Sequence, residues 1–218
     1  MSRRLVVVRP EPGNARTVAA ARAAGWTVDA MPLFAVRPLA WTAPDPAGFD
    51  ALLLTSANAV RHGGEGLAAL RPLPVLAVGQ ATAAAARAAG FRVALTGEED
   101  GAALIASARR MGFARLLHLA GRDHRALDVA ALVPVYVSEA VPPPADAPAR
   151  LAGAVVLLHS PRAARCVAAL ASDRAATALA AISAAALAAA GPGWRHGVAA
   201  AHPTDAALLA AAATLAAD

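Results

Sequence analysis

Lysine is missing from this chain altogether, and all 20 of its basic residues are arginine. That absence removes a Schiff-base amine and a phosphate-loop lysine together. Cysteine is almost absent too: a single residue, Cys166, excludes an internal disulfide and a cysteine-built metal cluster. Aromatic residues make up only 4% of the 218, and the arginines are scattered rather than clustered, so nucleic acid is not an expected partner. Long apolar runs are lacking as well. The stretch at 175–190 is mostly alanine, carries Ser183 and stops at Gly191-Pro192-Gly193, which does not describe a membrane span. Leu5–Val8 is too short for the apolar part of a signal peptide, so a cytoplasmic protein is expected. The six histidines show no metal-ligand spacing and are read singly as structural or surface residues. Neither a G-x-S-x-G elbow nor a G-x-G-x-x-G loop occurs.

What is present begins with alanine. Hydrophobic residues reach 58%, but alanine supplies much of that share, and it favours helix while burying little area per residue. The core must rest on Leu, Val and Ile. A formal charge of +5 favours anionic partners such as carboxylates or phosphates. Leu5-Val6-Val7-Val8 has the composition of a buried parallel strand, Asn14 is placed to cap a helix over 15–24, and 26–30 starts a second strand. The middle of the chain continues the alternation. Strands are expected at 51–54, 74–78, 91–95 and 115–119, and helices at 59–70, 80–89 and 100–111, the first weakened by Gly63-Gly64. Cys166 falls on the apolar face of a later helix and reads as a buried packing residue.

Two extended, proline-marked segments flank that middle region. The simplest geometry makes them an antiparallel pair joining two lobes. The expected fold is α/β: two similar parallel-sheet lobes joined by a two-stranded linker, one lobe discontinuous in sequence. Residues 1–32 and 142–218 would form the first lobe, 40–132 the second, and 33–39 with 133–141 the linker, with an active site in the cleft between the lobes. The last third of the chain repeats the middle at an offset of 104. Leu53-Leu54 aligns with Leu157-Leu158, Ser56 with Ser160, Gly79 with Ser183 and Asp100 with Thr204.

In open parallel sheets ligands bind beyond the carboxyl ends of the strands, where helix N-termini are exposed. Those ends carry Arg9, Thr55, Ser56, Gly79, Gly121, Arg122, Ser160, Ser183 and Thr204. Hydroxyls, small residues and backbone amides of this kind suit carboxylate or phosphate binding, although each Ser or Thr alone also suits helix capping. Tyr136, the one tyrosine, lies on the second proline-marked segment and is equally readable as packing or as a general acid.

Val8-Arg9-Pro10-Glu11, Leu54-Thr55-Ser56-Ala57-Asn58-Ala59-Val60, Ala77-Val78-Gly79-Gln80-Ala81-Thr82, Leu119-Ala120-Gly121-Arg122-Asp123, Val133-Pro134-Val135-Tyr136, His159-Ser160-Pro161-Arg162-Ala163 and Pro203-Thr204 together resemble the uroporphyrinogen-III synthase family. No one of these motifs is specific; their order and spacing over nearly the whole chain carry the resemblance. It implies a two-lobed α/β fold and a cofactor-free, metal-free hydro-lyase that cyclises hydroxymethylbilane to uroporphyrinogen III with inversion of the last ring. It further implies a cytoplasmic monomer, with hydroxymethylbilane as substrate and a transient contact with hydroxymethylbilane synthase. By the same resemblance Tyr136 is catalytic, helping the substrate hydroxyl leave as water. Thr55, Ser56, Ser160 and Thr204 match the family's hydroxyls, and Thr82 falls within a matching motif. Two departures stand out: Asp123–Leu132 is short for a helix plus a strand, and Ser183 stands where the family has glycine. They leave a second reading, a non-catalytic module that binds a small anion or a tetrapyrrole.

Overall fold

A computed structural model of the chain describes residues 4–97 and 100–216. The chain opens with strand β1 (Leu5–Val7), helix α1 (Gly13–Ala23), strand β2 (Val28–Ala30) and strand β3 (Phe34–Pro38). There follow β4 (Ala51–Leu54), α2 (Ala57–His62), β5 (Val75–Val78), α3 (Gln80–Ala88), β6 (Val93–Gly97), α4 (Gly101–Arg110), β7 (Leu116–Gly121) and β8 (Ala131–Ala140). The last part holds α5 (Ala147–Leu151), β9 (Val155–Leu158), α6 (Pro161–Leu170), β10 (Ala178–Ala181), α7 (Ala184–Ala188), β11 (His196–Ala199) and α8 (Asp205–Ala216). Contacts divide this into two compact units. The first comprises the residues through Ala35 and from Ala140 on; the second runs from Val36 to Glu139.

Each unit is built on a largely parallel sheet buried on both faces. In the first the order is β11-β10-β9-β1-β2, and in the second β3-β8-β7-β4-β5-β6. Central strands buried on both sides need apolar residues at every position, and β1, β4 and β9 are buried throughout. Their side chains alternate between faces. Val6, Val156 and Leu158 meet residues of α5, α6 and α7, whereas Leu5, Val7, Val155 and Leu157 meet those of α1 and α8. In the second unit Leu52, Leu54, Leu117 and Leu119 face α2 and α3, and Ala51, Leu53 and Leu116 face α4. Each fully buried leucine contributes about 1.5–3 kcal/mol. Cys166 is half-buried against the first unit's core.

The repeat at an offset of 104 reappears as repeated helix starts. Ser56 and Ser160 cap α2 and α6, Gly79 and Ser183 cap α3 and α7, and Asp100 and Thr204 sit before α4 and α8, with side-chain oxygens accepting from Ala103 N and Ala207 N. The parallel strands match in order as well, β7-β4-β5-β6 corresponding to β1-β9-β10-β11. Gly79 has φ +80°, while Ser183 has an extended backbone at φ −160°. A side chain at 183 therefore meets no backbone penalty.

Some expectations require correction. Asn14 does not cap α1. It lies inside the helix, fully buried, and its Nδ2 donates to the carbonyls of Val7 and Arg9, tying the helix to the end of β1. The helix expected over 59–70 breaks at Gly63-Gly64 into α2 and a 3-10 turn at 64–70. The proline-marked segments do pair antiparallel: Leu39 N donates to Val135 O and Val141 N to Leu33 O, each at 3.0 Å. However, β8 begins at Ala131 and also pairs parallel with β7, so that segment is a strand of the second unit's sheet as well. Pro134, lacking an N–H, lies where the register shifts, and the shift sets Tyr136 opposite Gly121. Residues 122–130 join β7 to β8 with no helix between them.

Candidate active site

Chain order reverses within each sheet, between β1 and β9 in the first unit and between β7 and β4 in the second. On either side of such a reversal the following segments leave toward opposite faces, opening a crevice at the carboxyl ends of the strands. Here α1 packs on one face and α6 on the other; α2 packs on one face, and Leu127 and Val129 from the loop after β7 on the other. Arg9 and His159-Ser160 flank the first reversal. Thr55-Ser56 and Gly121-Arg122 flank the second.

At the second reversal, strand alternation puts His118 and Thr55 on the α4 face. Leu53 is opposite His118, and Thr55 lies two residues beyond Leu53. His118 is 1% exposed, and its Nε2 lies 3.0 Å from Thr55 Oγ1. Burial first, and the nearby His124 second, pull its pKa down to about 4, so the ring is neutral near pH 7. His124 Nδ1 contacts the carbonyl oxygens of Gly121 and Arg122 at 3.0 and 3.1 Å. Tyr136 is half-buried, and its ring lies directly on Gly121. A Cβ at 121 would stand 2.8 Å from Tyr136 Cε2 and Cζ and 3.1 Å from its hydroxyl. Arg122 N donates to Tyr136 O at 2.8 Å, and the His62 ring centroid is 6.4 Å from that of Tyr136. Burial, with Arg61 adding to it, lowers the His62 pKa.

At the first reversal Arg9 Nη1 donates to both oxygens of Asp205, at 2.8 and 3.1 Å, and lies 3.3 Å from Thr17 Oγ1. Thr17 donates to Asp205 Oδ2 at 3.0 Å, and His159 Nε2 to Oδ1 at 3.2 Å. A carboxylate only accepts, so Nε2 of His159 carries the proton. The bond from His159, then Arg9's charge, hold Asp205 down at about 2 against the opposing effect of burial. Burial, the larger effect, lowers the Arg9 pKa while Asp205 raises it; the guanidinium remains charged. Gly13 leaves room for this arginine, since a Cβ there would fall 2.4 Å from Arg9 Nε.

The hydroxyls divide by role. Ser56, Ser160, Ser183 and Thr204 each accept a bond from the first turn of a helix, from the N–H of Asn58, Ala163, Ala186 and Ala207. Capping of this kind is worth about 1 kcal/mol and leaves the hydroxyl proton to donate. Two expected positions are closed. Thr82, 5% exposed, turns into the packed face of α3 with Ala83 and Ala86, and the amide of Gly79 is bound to Gly97 O at 2.7 Å. Within the second unit Thr55, Ser56, Gly121, Arg122 and Tyr136 gather at one reversal; within the first, Arg9 and Ser160 gather at the other. His118, His159, Thr17 and Asp205 were not expected. The offset that pairs Thr55 with His159, and a lone histidine within the apolar run of β7, were the available signals. Among the described residues no three metal-ligating side chains cluster, and no helix is long and apolar enough to cross a membrane.

Comparison with known proteins agrees with this architecture. The structure of uroporphyrinogen-III synthetase from Helicobacter pylori superposes with a TM-score of 0.68 at 17% identity, over 98% of this chain and 99% of that one. A mutant uroporphyrinogen III synthase from the extremely thermophilic bacterium Thermus thermophilus superposes with a TM-score of 0.51 at 17% identity, over 100% of both chains. At such identities these likenesses speak for the fold. No curated protein sequence matches the chain. The family model described as uroporphyrinogen-III synthase HemD matches residues 15–210, nearly the whole length. The chain belongs to the uroporphyrinogen-III synthase family.

Proposed function

We propose that this chain closes hydroxymethylbilane to uroporphyrinogen III with inversion of ring D, as a hydro-lyase working without a cofactor, and that it does so as a cytoplasmic monomer. The observation that supports the chemistry best is Tyr136, whose phenol is laid on Gly121 at the strand reversal that Thr55 and Ser56 also flank. The phenol donates its proton to the substrate's terminal hydroxyl, the C–O bond breaks and water leaves. The pyrrole nitrogen stabilises the resulting cation as an azafulvenium. Inversion then requires the substituted α-carbon of ring D to attack this cation. The bond from that carbon to its former methylene breaks and leaves a second azafulvenium on ring C, and the free α-carbon of ring D closes on it. The proton lost there as aromaticity returns restores the phenol. Orientation supplies most of the rate, since holding a flexible chain in a reactive geometry is worth roughly 7–11 kcal/mol.

The substrate's carboxylates call for donors. Arg9, Ser160, Ser183 and Thr204 in the first unit and Thr55, Ser56 and Arg122 in the second are the proposed contacts, with Gly121 giving the phenol its seat. Thr82 and the Gly79 amide, closed by packing and pairing, are left out. A transient contact with hydroxymethylbilane synthase would deliver this unstable substrate. The non-catalytic reading is not favoured, because family membership and the seated tyrosine both point to turnover.

The test supplies hydroxymethylbilane generated in situ from porphobilinogen by its deaminase, then oxidises and separates the isomers. Isomer III is expected; isomer I alone, the product of spontaneous closure, would rule the proposal out. Tyr136→Phe should slow turnover about 10- to 10²-fold with the thermal midpoint unchanged. That is at or below the low end for a general acid, because water can also protonate so good a leaving group. Undiminished turnover would remove the tyrosine from the mechanism.

A further inference from the structure

We propose that His118 is a positioning residue that turns the Thr55 hydroxyl into a dedicated hydrogen-bond donor to the substrate. The inference rests on the synthase reading for its substrate, but its geometry stands apart from it. The His118 ring is locked in the core on β7, between strand neighbours and the α4 face. One ring nitrogen, Nε2, meets Thr55 Oγ1 at 3.0 Å. The other, Nδ1, is buried and has no hydrogen-bond partner.

Two arrangements satisfy that geometry. In one, Thr55 donates to a bare Nε2, and the ring proton sits on Nδ1, an N–H buried without an acceptor. In the other, the proton sits on Nε2 and is donated to Thr55, leaving Nδ1 with an unused lone pair. A buried orphan donor is the rarer and costlier state, whereas an under-used acceptor is better tolerated. The second arrangement therefore prevails, and the neutral ring keeps it across physiological pH. Thr55 Oγ1 accepts from His118, so its own proton must be given elsewhere.

Thr55 is half-buried, with its methyl group beside the start of α4, where a Cβ at Gly101 would fall 3.4 Å from Thr55 Cγ2. The hydroxyl proton thus has water as its acceptor in the free protein and an oxygen of the substrate in the complex. A group fixed in this sense selects for acceptors, a carboxylate or the departing hydroxyl. A freely turning threonine would accept or donate indifferently.

Nitrogen-15 NMR of the full chain labelled at histidine tests the arrangement without turnover. His118 should show one protonated nitrogen, Nε2, from pH 5 to 8; a proton on Nδ1, or a charged ring, would overturn the proposal. Kinetically, His118→Leu should lower kcat/KM about tenfold, the scale of one hydrogen bond. His118→Gln, whose amide can donate from the Nε2 position, should recover most of that loss. Thr55→Val should reduce kcat/KM to the same level whether or not His118 is also replaced; additive losses would mean that His118 acts on something other than Thr55. Should His118→Leu fail to fold, the Gln variant and the NMR measurement still decide. A chain that makes only isomer I would defeat the synthase reading, yet the protonation of His118 would be read just the same.

Discussion

Gly121→Ala should lower kcat about 10³-fold and destabilise the second unit by about 1–3 kcal/mol, the usual range for overpacking a filled site. Gly121 does not have a positive φ, so its backbone accepts an L side chain; the nearest opposition comes from the Tyr136 ring. At 2.8 Å from two ring carbons, a methyl group lies inside van der Waals contact, and one of the two must move. The strand cannot yield easily, because β7 is paired on both sides, with β4 and with β8. The ring must swing away, which removes the proposed acid and drives its bulk into the crevice. The loss should therefore exceed that of Tyr136→Phe, which leaves the ring in place. Gly48→Ala is the matched control, since nothing lies within 4 Å of a Cβ there and no positive φ opposes it. Turnover measured beside thermal melts separates the two effects. Wild-type kcat in Gly121→Ala would mean that the seat of Tyr136 has no part in the reaction.

The reach of the sequence is clearest where one residue type has one use. The run Ala51-Leu52-Leu53-Leu54, short, apolar and bounded by turn residues, suited a strand buried on both faces, and it is one, as is Val155-Val156-Leu157-Leu158 at the repeat offset. Ser56, Ser160, Ser183 and Thr204 each suited helix capping, and each caps a helix; Asp100, read as the first residue of a helix, caps it instead. Asn14 shows the limit. Its type and place suited a cap, but tertiary contact drew its amide to two strand-end carbonyls instead. Thr82 fell in a matching motif, yet the register of α3 turned it inward. The polar clusters were least legible because their members are far apart in the chain. His118 meets a partner 63 residues away, and Asp205 gathers Arg9, Thr17 and His159 from 196, 188 and 46 residues away. Each histidine alone read as structural or surface, and only the parallel register and the strand reversals bring these side chains together.

Asp205→Asn tests the more distant of those clusters. It should cost about 1–3 kcal/mol at pH 7, the penalty for leaving partly buried donors unsatisfied, and nearer the lower figure because the carboxylate is 34% exposed. The sign with pH is fixed. Asp205 titrates at about 2 in the folded chain, against an ordinary value of 3.8, so its contribution is complete well above pH 4. It is lost as pH falls from about 4 toward 2. Urea midpoints of the two proteins should thus differ most at neutral pH and converge as acid is added; a gap that stays constant down to pH 2 would show that the carboxylate's charge is not what holds the cluster. Asparagine still accepts one bond, but it cannot neutralise Arg9, whose guanidinium would no longer be held between Thr17 and a carboxylate. If Arg9 is a substrate anchor, KM should rise about tenfold with kcat little changed, because the loss falls on binding rather than on the departing hydroxyl. An unchanged KM together with lowered stability would assign Asp205 to the fold alone and return Arg9 to it as well.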